Sequence, residues 1–154
     1  MNLDRLKEDL IADEGLKLEI YLCNAEPPRR TVGIGHMLTP VDPEWLMDIG
    51  DTITRERCDE LFAVDIETTI RDCERVYENW DSLPDEAQLI CANMMYNLGQ
   101  TRMRSFRKYI LALNQSPPDI ASAAVEMADS RWHEQLPNRS QRLIDRMNKL
   151  RGDA

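Results

Sequence analysis

The hydrophobic positions of this chain change rhythm near residue 15. Before it, Leu3, Leu6, Leu10 and Ile11 recur at helical spacing and predict a first helix over residues 3–13. Gly15 stands where a helix stop belongs. After it, residues 17–22 alternate and include Ile20 and Tyr21, which predicts a strand. The loop from Asn24 to Arg30 holds Pro27 and Pro28, which remove backbone donors and push their predecessors towards extended shapes. Residues 31–34 read as the returning strand, so this part of the chain predicts a small hairpin or sheet.

Residues 37–52 contain Pro40, Pro43 and Gly50 and predict a connector with one short helical turn at 43–48. A long stripe follows. Cys58, Phe62, Ile66, Thr69, Cys73, Tyr77 and Trp80 are spaced by 4, 4, 3, 4, 4 and 3 residues, the signature of one buried helix face. Thr54 is the expected N-cap, with Glu56 in the first turn. A helix over residues 54–80 would be about 39 Å long, enough to bridge two lobes. Ser82, Pro84 and Asp85 then announce a helix with Ala87, Ile90, Cys91, Met94, Met95 and Leu98 on its inner face and Gly99 at its end. Phe106, Ile110 and Leu113 predict a short helix. Another opens at Ser116–Asp119, with Ile120, Ala123, Ala124, Met127 and Ala128 facing inward. Asn138 is the expected cap of the last helix, whose inner face is Leu143, Ile144, Met147 and Leu150. The expectation is an α+β protein. It forms one domain over residues 1–154, with one lobe at 13–55, a second built from 1–12 and 80–154, and the 54–80 helix between them.

Composition narrows the function classes. An apolar content of 42% and a charged content of 31% over 154 residues describe a soluble globular chain. No apolar run reaches the roughly 20 residues that span a bilayer, so no stable membrane insertion is expected. The acids in the first ten residues exclude a signal peptide, which predicts synthesis in the cytoplasm. The net charge of −9 is uneven: residues 41–90 carry 15 acids and 4 bases, and residues 101–151 carry 10 bases and 5 acids. Nucleic acid is excluded as a partner, because the chain is acidic overall and its basic run lacks interleaved aromatics. None of the four cysteines forms a C-x-x-C pair, and neither H-E-x-x-H nor a calcium loop occurs, so no metal and no cofactor are expected. Cys58, Cys73 and Cys91 fall on apolar helix faces and read as small buried hydrophobes. Cys23 lies in a polar loop.

Residues 13–36 bring a carboxylate, a thiol, a hydroxyl and an imidazole close in sequence. Glycoside cleavage needs an acid for the leaving oxygen and a second group for water or the developing cation. Glu14, at a helix end beside a sheet, is the candidate acid. Cys23, Asn24, Glu26 and Thr31 are candidates for the second group. A competing reading makes Cys23 a nucleophile with His36 as its base, but Cys23 lacks the helix N-terminus that usually lowers such a thiol's pKa.

The chain resembles the phage-type lysozymes. The resemblance rests on D-E-G-L-K-L-x-I-Y at 13–21, T-V-G-I-G-H-M-L-T at 31–39 and I-T-x6-L-F-x-x-D at 53–65. It continues through A-N-M-M-Y-N-L-G at 92–99, S-R-W at 130–132 and P-N-R-S-x-R at 137–142. It implies two lobes joined by a long helix and hydrolysis of the β-1,4 bond between N-acetylmuramic acid and N-acetylglucosamine in peptidoglycan. On the matching positions, Glu14 is the general acid, and Thr31 positions the attacking water. Cys23 stands where the best-known members carry a catalytic aspartate. Seven residues separate Cys23 from Thr31, two more than is usual in the family. Arg139 matches an arginine that pairs with the acid, and His36 a structural histidine paired with an acid, here Asp65. Met37 and Tyr96 match positions that touch the sugar chain; Tyr109 and Glu126 align with two more without keeping the family's residue types. The resemblance further implies a monomeric endolysin that reaches the wall once a holin has opened the membrane. A lytic transglycosylase, or an inactive wall-binding or structural domain, are the alternatives.

Overall fold

In the computed structural model, which describes residues 1–152, α1 (Leu3–Glu14) buries Leu6 and Leu10 completely, while Leu3 and Ile11 stay at the surface. Three antiparallel strands follow in the order β1 (Lys17–Leu22), β2 (Arg30–Gly33) and β3 (His36–Met37). Seven helices among the described residues and this one small sheet make the fold α+β, as expected from the sequence. The chain divides into two units. A sheet unit comprises Lys7–Thr68, and a helical unit comprises residues 1–6 with the chain from Thr69 onward. The division falls inside α1 and inside the long helix α2 (Arg55–Val76).

In the sheet unit, Tyr21 faces Thr31 and Leu22 faces Arg30 across β1 and β2, with a bulge between Lys17 and Tyr21. Thr31 faces Met37 and Val32 faces His36 across β2 and β3. Ile20, Val32, Leu38 and Leu61 form a small core, with Met47 and Ile53 packed against it. The segment expected as a connector with one short helical turn at 43–48 has that turn, as a 3-10 turn at Pro43–Leu46, and also completes β3. It then returns to cover the other side of β1: Ile20 N–H donates to Asp51 O at 2.9 Å, Ile53 N–H donates to Leu18 O at 2.8 Å, and Glu19 bridges to Thr52. Arg30 ties the 3-10 turn to β2 by donating to the carbonyls of Met47 and Trp45 and stacking on the Trp45 ring, 4.8 Å from its centroid.

α2 begins as its sequence predicts, with the Thr54 hydroxyl accepting from Arg57 N–H at 3.0 Å. It ends at Val76, not Trp80. Asn79 leaves helical geometry, and Trp80–Ser82 forms a 3-10 turn. Residues three apart eclipse in a 3-10 turn, so Trp80 stays in register with Tyr77 although the α-helix has stopped. Both rings remain buried and stack, with centroids 5.9 Å apart.

The helical unit is built around α3 (Asp85–Met103). Every residue from Ala87 to Met95 is buried, so over this stretch the helix has no solvent face where the sequence suggested one inner stripe. A stretch buried on all sides belongs at the centre of a bundle. Gly99, with φ +76, breaks it before a last turn. The remaining helices are α4 (Arg107–Leu113), α5 (Ile120–Ala128), α6 (Arg131–Gln135) and α7 (Pro137–Gly152). α7 packs against α3, α5 and α6. The sequence reading passed over α6, which is one turn long and capped by the Ser130 hydroxyl on His133 N–H. It also placed the start of α7 at Asn138; Pro137 takes the first position instead, where its missing N–H is harmless. The half-buried carboxylate of Glu86 is held by Arg5 at 2.7 Å and by Arg146, joining α1, α3 and α7.

The sheet unit is tied by His36. Its Nδ1 lies 2.7 Å from Asp65 Oδ2 on α2, and its Nε2 lies 2.9 Å from Asp42 Oδ2. The same Asp42 oxygen accepts from the Thr39 N–H at 2.8 Å. With a carboxylate on each ring nitrogen, both nitrogens donate, and the ring is an imidazolium. Burial alone would lower its pKa, but Asp65 and then Asp42 outweigh burial and raise it from 6.5 to about 9. Asp42 is held below its ordinary value: burial raises it, and the Thr39 N–H and His36 overcome that. A raised histidine stabilises the fold fully below its unfolded pKa, and the gain is lost as pH rises through the folded pKa. Replacing His36 by Gln should therefore cost about 1–2 kcal/mol at pH 6, after allowing for solvent screening. Thermal melts at pH 6 and pH 9.5 check this: the gap in Tm between wild type and variant should shrink markedly at the higher pH. An equal gap at both would refute the charged clamp.

Candidate functional site

Glu14 is the last residue of α1. Gly15 follows with φ +75, and its N–H donates to Ile11 O at 2.9 Å, so the helix stops and the chain turns into β1. Among alternatives to glycine at position 35, none fits comfortably. The backbone there has φ +65, and a Cβ would stand 2.6 Å from Glu14 Oε2 and 3.1 Å from its Cγ. The half-buried Glu14 side chain thus lies directly on the backbone of the β2–β3 turn.

Cys23 follows β1 immediately, and its N–H donates to Arg29 O at 3.0 Å, closing the loop between them. Thr31, buried on β2, donates its hydroxyl to the same Arg29 carbonyl at 3.0 Å. Partial burial would raise the Cys23 thiol. Hydrogen bonds from the Ala25 backbone, the Thr31 hydroxyl and the Arg29 backbone outweigh burial, so its pKa lies below the ordinary value. Cys23 is half-buried, whereas Cys58, Cys73 and Cys91 are buried, and burial pushes the thiols of all three up.

Tyr21 links these groups, and sequence reasoning had used it only as a strand former. Its phenol is raised first by burial, then by the charges of Glu14 and Cys23, so it lies within electrostatic reach of both. Lys17 Nζ stands 4.3 Å from its ring centroid. The signal in the sequence was its position two residues before Cys23 on a strand. Met37, exposed on β3, faces Thr31 across the ladder. The sheet unit therefore brings together Glu14, Tyr21, Cys23, Thr31 and Met37. It places His36 apart from them in function, in the clamp with Asp42 and Asp65.

The other singled-out residues belong to the helical unit. Tyr96 on α3 and Glu126 on α5 are half-buried. Tyr109 departs from expectation. It has no exposed surface; its hydroxyl lies 3.1 Å from Cys91 Sγ, and its ring packs edge-on against Tyr77 and Phe106. An aromatic ring on the inner face of α4 is core, and alignment by position could not reveal that. Arg139 is also buried, with Nε donating to Asn93 Oδ1 at 3.0 Å. A cavity of about 600 Å³ borders Phe106, Glu126, Arg131 and Trp132. The Trp132 indole N–H donates to Asn97 Oδ1 at 2.9 Å. Among the described residues, no group of three or more His, Cys, Asp or Glu side chains is arranged to hold a metal ion, and no helix is long and apolar enough to cross a membrane.

Comparison with known proteins agrees with this arrangement. The phage lysozyme family matches residues 12–149. A probable T4-type lysozyme 2 of Dictyostelium discoideum is 30% identical over 161 positions, covering 90% of this chain and 91% of that protein. The probable T4-type lysozyme 1 of the same organism is 27% identical with the same coverage. The peptidoglycan hydrolase gp36 of Pseudomonas phage phiKMV is 27% identical over 117 positions, covering 76% of this chain but only 12% of that much longer protein. The match to this family over residues 12–149, nearly the whole length, makes this chain a member of the phage lysozyme family.

Proposed function

We propose that the protein is a peptidoglycan-cleaving glycoside hydrolase, and more narrowly a muramidase. It would hydrolyse the β-1,4 bond between N-acetylmuramic acid and N-acetylglucosamine. The observation that carries this reading is that one unit holds the Glu14 carboxylate, set against the β2–β3 turn, and Cys23, whose backbone N–H shares the Arg29 carbonyl with the Thr31 hydroxyl. Glu14 is the general acid: it gives its proton to the glycosidic oxygen as the bond breaks. The Cys23 thiolate stabilises the oxocarbenium-like sugar and takes a proton from the attacking water, which Thr31 orients. Water adds to the anomeric carbon on the face opposite the departing oxygen, and solvent returns the proton from Cys23 to Glu14. The net change is one bond hydrolysed by one water. The lowered pKa of Cys23 supports this role, because the same hydrogen bonds that lower it favour the thiolate over the thiol.

The biological setting proposed is host lysis by a phage. The enzyme accumulates in the host cytoplasm, acts as a monomer, and reaches the wall once a holin has opened the membrane. Support comes from the family and from the relative named as a phage peptidoglycan hydrolase.

The first test is turbidity loss of Gram-negative cells stripped of their outer membrane. Wild type should clear them. Glu14→Gln should lose on the order of 10²–10⁴ in rate, the typical worth of a positioned acid. Cys23→Ser should lose on the order of 10²–10³, the scale of one electrostatic group aimed at the transition state. Wild type that binds walls and clears nothing would defeat the enzyme reading. A fully active Cys23→Ser would move the second role elsewhere.

Gly35→Ala should be impaired although it removes no polar group. The added Cβ meets the Glu14 carboxylate at 2.6 Å on a positive-φ backbone. The expected costs are about 1–2 kcal/mol in a denaturant melt and roughly 100-fold in clearing rate from the displaced acid. A variant with wild-type kinetics would show that the position of Glu14 is not critical. Finally, NMR of the first-formed reducing sugar should show the α-anomer, as direct attack by water requires. An initial β-anomer would instead mean a covalent intermediate on Cys23.

A further inference from the structure

Residues 23–28 enclose an open cavity of about 630 Å³, lined by Cys23, Asn24, Ala25, Glu26, Pro27 and Pro28. It adjoins the thiol, and it is formed by the loop that the sequence makes longer than usual for the family. Its chemistry is one-sided. Glu26 is an exposed carboxylate, and Cys23 has a lowered pKa. No cation lines it. The exposed Arg29 follows the rim directly without lining the cavity, and Arg30 has its guanidinium engaged on the carbonyls of Met47 and Trp45 and on the Trp45 ring. The surrounding unit deepens the bias, since residues 7–68 carry 15 acids and 6 bases.

We propose that this cavity is a subsite for a primary ammonium group of the wall polymer, with the Glu26 carboxylate as counter-ion. The proposal rests on the reading of the protein as a wall-cleaving enzyme and names which walls it prefers. An ammonium group brings three donors. Glu26 and Asn24 both line this cavity and bring side-chain oxygens that accept. Pro27 and Pro28 restrict the backbone of the rim, which lowers the ordering cost of binding. An N-acetylated nitrogen is neutral. It could hydrogen-bond to Asn24, but it would gain nothing from Glu26. Two groups of a bacterial wall offer this chemistry: the free amine of a de-N-acetylated amino sugar, and the side-chain amine of a diamino acid in the stem peptide.

The test measures kcat/KM on matched polymers. Peptide-free glycan strands are compared in partly de-N-acetylated and fully N-acetylated form. Intact walls are compared with their peptide amines free and acetylated. Wild type should prefer the amine-bearing member of one pair by roughly three- to tenfold, the scale of a partly screened ion pair. The glycan pair reports the sugar amine, and the wall pair reports the peptide amine. The preference should fall towards unity between 0.05 and 0.5 M salt, as screening requires. Glu26→Gln should bring the ratio close to one, and Glu26→Lys should bring it below one, with circular dichroism melts confirming that both variants fold. Equal rates on both members of both pairs, or a preference that survives Glu26→Gln, would overturn the subsite alone. A wild type inactive on every polymer would overturn the enzyme reading and this inference with it.

Discussion

The turn between β2 and β3 is the tightest constraint in the sheet unit. It lies between two helices with no room for side chains at either glycine. A Cβ on Gly35 would strike the Glu14 carboxylate at the end of α1, and one on Gly33 would press on Cys58 Sγ of α2 at 3.3 Å. Both glycines also have positive φ, which costs an L-residue energy even in open space. The backbone itself is therefore the surface on which Glu14 rests. From that contact follow the entry angle of β1, the register that sets Tyr21 opposite Thr31, and the position of β3, from which His36 reaches Asp65.

The legible parts of the sequence were those in which local chemistry and tertiary packing agree. The alternation at 17–22 gave β1 because Ile20 is buried while Lys17, Glu19 and Leu22 are not. Thr54 capped α2 because a hydroxyl before a polar first turn has few other uses. Reading failed where packing overruled pattern. β3 is only two residues long and carries no period. The return of residues 50–53 to β1 depends on backbone groups, which look the same in every sequence. α3 is buried on all sides from Ala87 to Met95, and its periodicity reported only the strongest face of a stretch that has no outer one. Tyr109 was placed by correspondence of position, although a tyrosine whose hydroxyl finds a sulfur partner can be wholly interior.

The site was half legible. Position and type identified Glu14, Cys23 and Thr31 as candidates, but nothing in the sequence could say how a thiol differs from a carboxylate there. The structure gives that difference a physical form. A carboxylate offers two oxygens to its donors and ionises well below neutrality. The sulfur is a single acceptor atom; burial would raise its pKa, and hydrogen bonds from the Ala25 backbone, the Thr31 hydroxyl and the Arg29 backbone hold it below the ordinary thiol value.

The pairing of residues 50–53 with β1 has a consequence for the protein at high concentration. A small sheet exposes two outer ladders, and each can template pairing with another chain. Here one ladder is occupied by the chain's own backbone through Gly50, Asp51 and Ile53. The other is a strand of two residues, His36 and Met37, too short to recruit a partner strand. The fold therefore protects itself against edge-to-edge association by pairing β1 with its own chain, in addition to the charges of Lys17 and Glu19 on that strand. That strand remains free to carry Tyr21 to the threshold of Cys23.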